Sequence, residues 1–211
     1  MSDYQNQKAL VLQYYENLEA ANAESVEEVI NRFTSPELHW YGVYPFNEQY
    51  GAAAVAEAFW KPFLRSWSDV QRRQDIFLAG TSEIDHTDWV ISMGHFMGYL
   101  DKSWLGLPAN SKIVFLRYAE FNCIQDGMIK RSSFFCDLIG LMQQMDINPL
   151  PLQTGSTFIY PGPRTHDGLL YESQDSQESA MTLELINRMI GDLDKLNKSG
   201  EDCPPPESLA E

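Results

Sequence analysis

The sequence has few basic residues, few cysteines and no long apolar run, and each shortage excludes a class of protein. Its 211 residues include 15 Lys and Arg against 30 Asp and Glu, which gives a formal net charge of −15. A surface with this excess of acid repels phosphate groups, so neither nucleic acid nor an anionic membrane surface is an expected partner. No apolar run approaches the length of a transmembrane helix.

The three cysteines, Cys123, Cys136 and Cys203, form no C-x-x-C pair. Cys123 and Cys136 lie in apolar, strand-like runs, where a free cysteine behaves as a small buried hydrophobe. We therefore expect neither a disulfide nor a zinc site. The N-terminal residues lack a basic region followed by an apolar core, so no secretory signal is expected. These features together predict a cytoplasmic protein with reduced thiols.

Several motifs of common cofactor sites are also absent. The sequence contains no P-loop, no dinucleotide glycine fingerprint and no Gly-x-Ser-x-Gly, so it predicts neither a nucleotide cofactor nor a serine nucleophile. His86 lies in a polar turn with Asp85 and Asp88, but nothing supplies a third and fourth ligand at fixed spacing. We predict no cofactor and no metal.

The periodicity of apolar residues predicts a helical region followed by a strand region. Apolar residues recur at helical spacing over residues 4–22, 26–33 and 51–67. Strand-like patterns cover Leu38–Tyr44, Arg72–Ala79, Trp89–Leu100, Ile113–Gln125 and Met128–Asp137. This order favours an α+β domain in which a curved antiparallel sheet carries three N-terminal helices on one side.

Two local signals add detail to the helices. Ser25-Val26-Glu27-Glu28 has the pattern of a capping box, in which the Ser and Glu side chains satisfy free N–H groups at a helix start. Pro62 lies inside the third helical pattern and is expected to kink or divide it, because proline lacks a backbone N–H.

The composition divides the chain into three parts. Residues 1–150 form the predicted domain, which ends near Pro149-Leu150-Pro151. Residues 151–177 are rich in Gly, Pro, Ser, Thr and Asp, as in an extended linker or arm. Residues 178–211 hold an amphipathic helix and an acidic, proline-rich tail. A short echo of the first helix in this last one indicates either the start of an incomplete second module or chance similarity.

The stretch from Gly127 to Gln144 carries the main chemical hypothesis. Asp126-Gly127 between two apolar runs predicts a tight hairpin turn. The strand that follows ends at Asp137, among apolar side chains. Loss of hydration disfavours a charged carboxylate and would let Asp137 exchange protons near neutral pH. An Asp before Leu-Ile-Gly is also a good helix N-cap, and one residue can do both.

Specific motifs resemble the SnoaL-like polyketide cyclases, a family within the nuclear-transport-factor-2-like (NTF2-like) group. The matching elements are Leu38–Gly42, Gly94–Gly98, Gly106–Lys112 and Glu120–Ile129 leading into Asp137–Gln144. The resemblance covers the chain from about Leu10 to Met145. It implies a cone-shaped α+β fold followed by a C-terminal extension with one helix.

The resemblance also implies a function. In the family, an Asp at the position of Asp137 is the proposed acid/base of an intramolecular aldol cyclisation. This chain would then act, without a cofactor, on a small apolar carbonyl compound in the cone, by cyclisation, isomerisation or a similar reaction. The alternative is a non-catalytic ligand-binding or dimerisation module on the same fold. A family His aligns with Phe96, while His95 lies one place earlier, and a one-residue shift on a strand reverses the face.

The candidate site follows from these arguments. Asp137 and His95 are the candidate catalytic residues, and His95 shares a predicted strand face with Met93 and Met97. The candidate substrate-binding residues are His39, Trp40, Tyr41, Phe63, Arg117 and Phe135. His39 and the aromatic residues could equally be packed in the core, and Arg117 could pair with Glu120 or Asp137 or bind an anionic group. An uncovered apolar sheet face predicts a homodimer.

Overall fold

The structure, a computed structural model, describes residues 4–151 and 162–199. The chain divides into two compact units, of which the first ends at Tyr171 and the second begins at Glu172. Part of the predicted linker and the acidic tail after Ser199 lie outside the described residues.

The three predicted N-terminal helices are confirmed in the first unit. Helix α1 covers Gln5–Ala20 and helix α2 covers Val26–Phe33. The third helical run has three parts, namely α3 (Gly51–Val55), a π-helical turn (Ala56–Trp60) and α4 (Lys61–Ser66).

Of the two local predictions for the helices, one is wrong and the other is confirmed. The capping box is wrong, because the Ser25 side chain makes no cap bond at the start of α2. The Asn22 side chain instead accepts hydrogen bonds from the backbone N–H groups of Glu24 and Ser25, at 3.0 and 2.9 Å. Pro62 is the second residue of α4, directly after the π-helical turn, so the helical run is divided there as predicted.

Six strands form one open, curved sheet. They are β1 (Thr34–Gly42), β2 (Glu48–Tyr50), β3 (Trp67–Thr81), β4 (Asp88–Leu100), β5 (Ile113–Gln125) and β6 (Met128–Cys136). Their order across the sheet is β2-β1-β6-β5-β4-β3. The pairs are antiparallel except for β1 with β6, which is parallel, with Trp40 opposite Ser132. The short helix α5 (Leu138–Gln144) follows β6.

The two faces of the sheet have different surroundings. On β5, Leu116 and Tyr118 are buried, whereas Arg117 between them is exposed, as strand alternation requires. The ring of Phe63 in α4 lies 5.3 Å from that of Phe96 in β4. We therefore call the side of Phe96 and Tyr118 the helix-facing side, and the side of Arg117 the outer face.

Aromatic rings fill the helix-facing side. The buried aromatic core comprises Trp40, Phe46, Phe59, Trp60, Phe63, Trp67, Phe96, Trp104, Tyr118 and Phe134. Phe59 shows the density of this packing, because its ring centroid lies within 5.3 Å of those of Phe46, Phe63 and Phe134. A cavity of about 20 Å³ beside Arg72 has room for about one water molecule.

A buried ion pair crosses the helix-facing side. Arg72 Nη1 in β3 lies 2.9 Å from Glu120 Oε2 in β5, and both side chains are 3% exposed. The Arg72 guanidinium also stacks on the Tyr15 ring, 3.8 Å from its centroid. Burial raises the pKa of Tyr15 well above its usual value, and the charge of Glu120 raises it further. Because Glu120 pairs with Arg72, the predicted alternative pairing of Glu120 with Arg117 does not form.

Helix α6 (Ser176–Ser199) belongs to the second unit and confirms the predicted C-terminal amphipathic helix. Its partly exposed apolar side chains recur at helical spacing and include Leu183, Ile186, Met189, Ile190 and Leu193. Across residues 4–151 and 162–199, no helix combines the length and the apolar character needed to cross a bilayer.

Candidate functional site

An apolar groove of about 500 Å³ opens on the outer face of the sheet. Its floor is built by Met93, Ala119 and Phe135, which lie side by side because Met93 pairs with Ala119 and Ala119 pairs with Phe135. The charged residues Arg117 and Asp137 line the same groove. A concave, mostly apolar site with a few polar groups has the dimensions and chemistry of a small-molecule site.

Asp137 lies where strand β6 passes into helix α5. Its backbone N–H donates to the carbonyl of Arg117 at 3.0 Å, which ties the end of β6 to β5. Its Oδ1 accepts a hydrogen bond from the Gly140 N–H at 2.8 Å, so the predicted N-cap role is confirmed. A Cβ at position 140 would collide with Asp137 Oδ2, so a larger residue there would displace the carboxylate. Among the described residues, no hydrogen-bond partner approaches Oδ2.

The residues next to Asp137 differ in reactivity. Burial, with a smaller contribution from the Asp137 charge, raises the pKa of the Cys136 thiol to about 12. Cys136 is therefore a neutral thiol near pH 7 and a poor nucleophile. Arg117 is exposed and forms no ion pair with any carboxylate in the described part of the chain, so its charge is available to an anionic group on a ligand.

A row of charged and polar side chains continues from Arg117 across the outer face. His95 is the register partner of Arg117 on one side and of Arg73 on the other. His95 Nδ1 lies 3.6 Å from Oδ2 of Asp75, which also lines the groove. The side chains of His95 and Asp75 are 29% and 32% exposed, so water reaches both of them. The groove therefore has an acid at one end and an acid beside a histidine at the other.

Comparisons with known proteins identify the architecture. Neither the family models nor the curated proteins include a match to this chain. Among solved structures, one from Jannaschia sp. CCS1 described as a SnoaL-like polyketide cyclase has a TM-score of 0.55 and 19% identity, covering 70% of this chain and 95% of its own. One from Xanthomonas campestris pv. campestris described as a polyketide cyclase has a TM-score of 0.52 and 19% identity, covering 68% and 99%.

A third structure, AclR from Streptomyces galilaeus, is described as a hydroxylase and has a TM-score of 0.53 at 19% identity, covering 71% of this chain and all of its own. The chain has the SnoaL-like fold. The resemblance read from the sequence motifs is thereby confirmed for the architecture, with its three N-terminal helices and its curved sheet. At this identity the likeness shows the fold alone, because one fold can support many different chemistries.

The open space in this SnoaL-like fold does not lie where the resemblance predicts the ligand pocket. The resemblance implies a pocket within the cone, on the helix-facing side. That side is filled by the aromatic core, because bulky rings occupy facing positions on the helices and on the sheet. The groove that Asp137 lines has its floor on the outer face instead.

The predicted site residues fall into three places in this SnoaL-like fold. Asp137, Arg117 and Phe135 line the groove, and His95 lies beside it through Asp75. Trp40 and Phe63 belong to the aromatic core. His39 and Tyr41 lie away from the groove on β1. The His39 ring stacks on Tyr50 at 4.4 Å, and its Nε2 is bonded to Glu48 at 2.9 Å.

Sequence reasoning missed Asp75, although it brings a second carboxylate to the groove. Asp75 lies at a β-bulge, where the register of β3 against β4 shifts between Gln74 and Ile76. A bulge re-aims side chains and leaves little trace in an alternating pattern. Among the described residues, no three His, Cys, Asp or Glu side chains are grouped closely enough to hold a metal ion.

Proposed function

We propose that this chain binds a small, largely apolar carbonyl compound in the outer-face groove and acts on it by cofactor-free acid/base catalysis, in the manner of a SnoaL-like cyclase. One observation carries the proposal, namely that Asp137 and Arg117 both line an apolar groove of about 500 Å³. An acid that can accept a proton and a cation that can stabilise an oxyanion are the two groups that enolate chemistry needs.

The proposed reaction gives each group a role. Asp137 Oδ2, which has no bond from a described residue, takes a proton from a carbon next to the carbonyl. The C–H electron pair moves to form the enolate, whose oxygen carries the negative charge. Arg117 stabilises that oxygen. The α-carbon of the enolate then attacks a second carbonyl of the same compound, so that a C–C bond forms and the π pair of that carbonyl moves to its oxygen as an alkoxide. The protonated Asp137 returns its proton to this alkoxide. The Gly140 N–H holds the carboxylate in place throughout.

The homodimer and the cytoplasmic location belong to the same proposal. The outer face carries half-exposed apolar side chains, among them Phe115, Ile113 and Phe135. A second copy seated on this face would cover the groove and remove water from around Asp137. The acidic composition supports a cytoplasmic protein.

A second candidate function is a non-catalytic ligand-binding or dimerisation module on the same fold. The filled helix-facing side favours it, because the rings of Phe59, Phe63 and Phe134 leave no space there for a substrate. The N-cap bond of Asp137 favours it too, since it gives the carboxylate a structural role.

We expect Ala119→Trp to weaken binding of a probe ligand by about tenfold or more, because an indole at the centre of the floor fills the groove. The measurement is a calorimetric titration with β-tetralone, a bicyclic ketone that contains a benzene ring and has acidic α-hydrogens. Phe121→Trp is the matched control, since Phe121 lies on the same strand face but does not line the groove. Equal affinity in wild type and Ala119→Trp would contradict the proposed site.

A further inference from the structure

Residues 162–171 attach to the edge of the sheet through an isolated bridge to β3. The Phe77 N–H in β3 donates to the carbonyl of Gly168 at 2.8 Å, and the Leu170 N–H donates to the carbonyl of Phe77 at 2.7 Å. These bonds make a parallel bridge between Phe77 and Leu169. The Tyr171 ring packs on Phe77 at 5.2 Å, and its hydroxyl donates to Gln74 at 2.9 Å. We call residues 162–171 the edge arm.

Two glycines of the edge arm lie directly against Asp75. A Cβ at Gly162 would collide with Asp75 Cβ and Cγ. A Cβ at Gly168 would lie 2.7 Å from the Asp75 carbonyl oxygen. Glycine therefore allows the arm to enclose the bulge residue at both its side chain and its backbone.

The same arm reaches the groove. Gly162 and Pro163 line it together with Asp75, across the floor from Asp137. Asp75 in turn faces His95 at 3.6 Å. The edge arm thus lines the groove and also contacts Asp75, a charged residue at the edge of that groove.

We propose that the edge arm is a wall of the ligand groove and positions Asp75 beside His95, so that ligand affinity depends on its attachment to β3. This inference rests on the proposed function, because it takes the groove to be the ligand site. In this proposal the edge arm contributes to ligand binding, and Asp137 at the other end of the groove transfers the proton. Pro163 adds an apolar surface to that wall, which suits an apolar, ring-containing ligand.

The test detaches the arm in two ways. Leu170→Pro removes the N–H that donates to Phe77, and Gly162→Ala introduces the collision with Asp75. Gly80→Ala is the matched control, because nothing lies within 4 Å of a Cβ at that position of β3. Two quantities are measured in the full chain, namely hydrogen exchange of the Phe77 amide and the kinetics of deuterium exchange into β-tetralone.

In both arm variants we expect faster exchange of the Phe77 amide, a KM for β-tetralone raised by about tenfold, and a kcat within about twofold of wild type. If the arm only stabilised the fold, its variants would lower kcat and kcat/KM, because less of the protein would be folded. Thermal unfolding measures that loss. Faster amide exchange with an unchanged KM would contradict the proposal that the edge arm is a wall of the groove, and it would leave the proposed function unaffected. Unchanged amide exchange in both variants would overturn the attachment itself. Absence of β-tetralone binding in wild type would overturn the proposed function and this inference together.

Discussion

Asp137→Asn is expected to slow deuterium exchange at the α-carbons of β-tetralone by about 10²- to 10⁴-fold, the usual contribution of a positioned general base. An amide oxygen is too weak a base to take the proton. The same oxygen can still accept the Gly140 N–H bond, so the free energy of unfolding should fall by no more than about 0.5 kcal/mol. Proton NMR in heavy water follows the exchange, and urea unfolding follows the stability.

Two further variants separate the N-cap role of Asp137 from its role as a general base. Asp137→Ala loses the base and the cap together and should cost about 1 kcal/mol of stability besides the rate. Asp175→Asn is the matched control, because Asp175 accepts a bond from the Gln177 N–H at 2.8 Å at the start of α6 but lies outside the groove. Exchange at the wild-type rate in Asp137→Asn would remove Asp137 from the mechanism.

Arg72→Met is expected to lower the free energy of unfolding by about 3–5 kcal/mol, because it leaves the Glu120 carboxylate buried without its partner. Burial by itself would lower the pKa of Arg72, but Tyr118 and Glu120 raise it above its usual value. The guanidinium is therefore charged in the folded protein at neutral pH. Urea denaturation monitored by circular dichroism measures the loss.

The double variant and an exposed pair provide the controls. Arg72→Met combined with Glu120→Leu should be less destabilised than the sum of the single variants, since no buried charge remains. Arg131→Met breaks an exposed pair with Asp85 and should cost at most about 1 kcal/mol. A cost for Arg72→Met no larger than that for Arg131→Met would contradict the account of the buried pair.

The elements that the sequence predicts well are those set by nearby residues. Asp126 and Gly127 both have positive φ, 52° and 72°, as a two-residue hairpin turn requires, and β5 and β6 pair across them. The N-cap at Asp137 is likewise readable, because it depends on a side chain and an N–H three residues on. The shared face of Met93 and His95 follows from alternation alone.

What the sequence does not predict depends on contacts between distant segments. Alternation places Phe96 and His95 on opposite faces, but only the packed helices decide that Phe96 is buried under them. The Arg72–Glu120 pair joins residues 48 positions apart. The parallel pairing of β1 with β6 and the bulge at Asp75 are equally non-local. These contacts decide that the helix-facing side is filled and that the groove has its floor on the outer face.

The location of a bound ligand decides whether the ligand site lies on the outer face of the sheet. With methyl-labelled Met and Ala, β-tetralone should shift the NMR signals of Met93 and Ala119 on the groove floor and leave that of Ala56, buried in the π-helical turn, unchanged. Shifts at Ala56 without shifts at Met93 and Ala119 would place the ligand among the helices and contradict a site on the outer face.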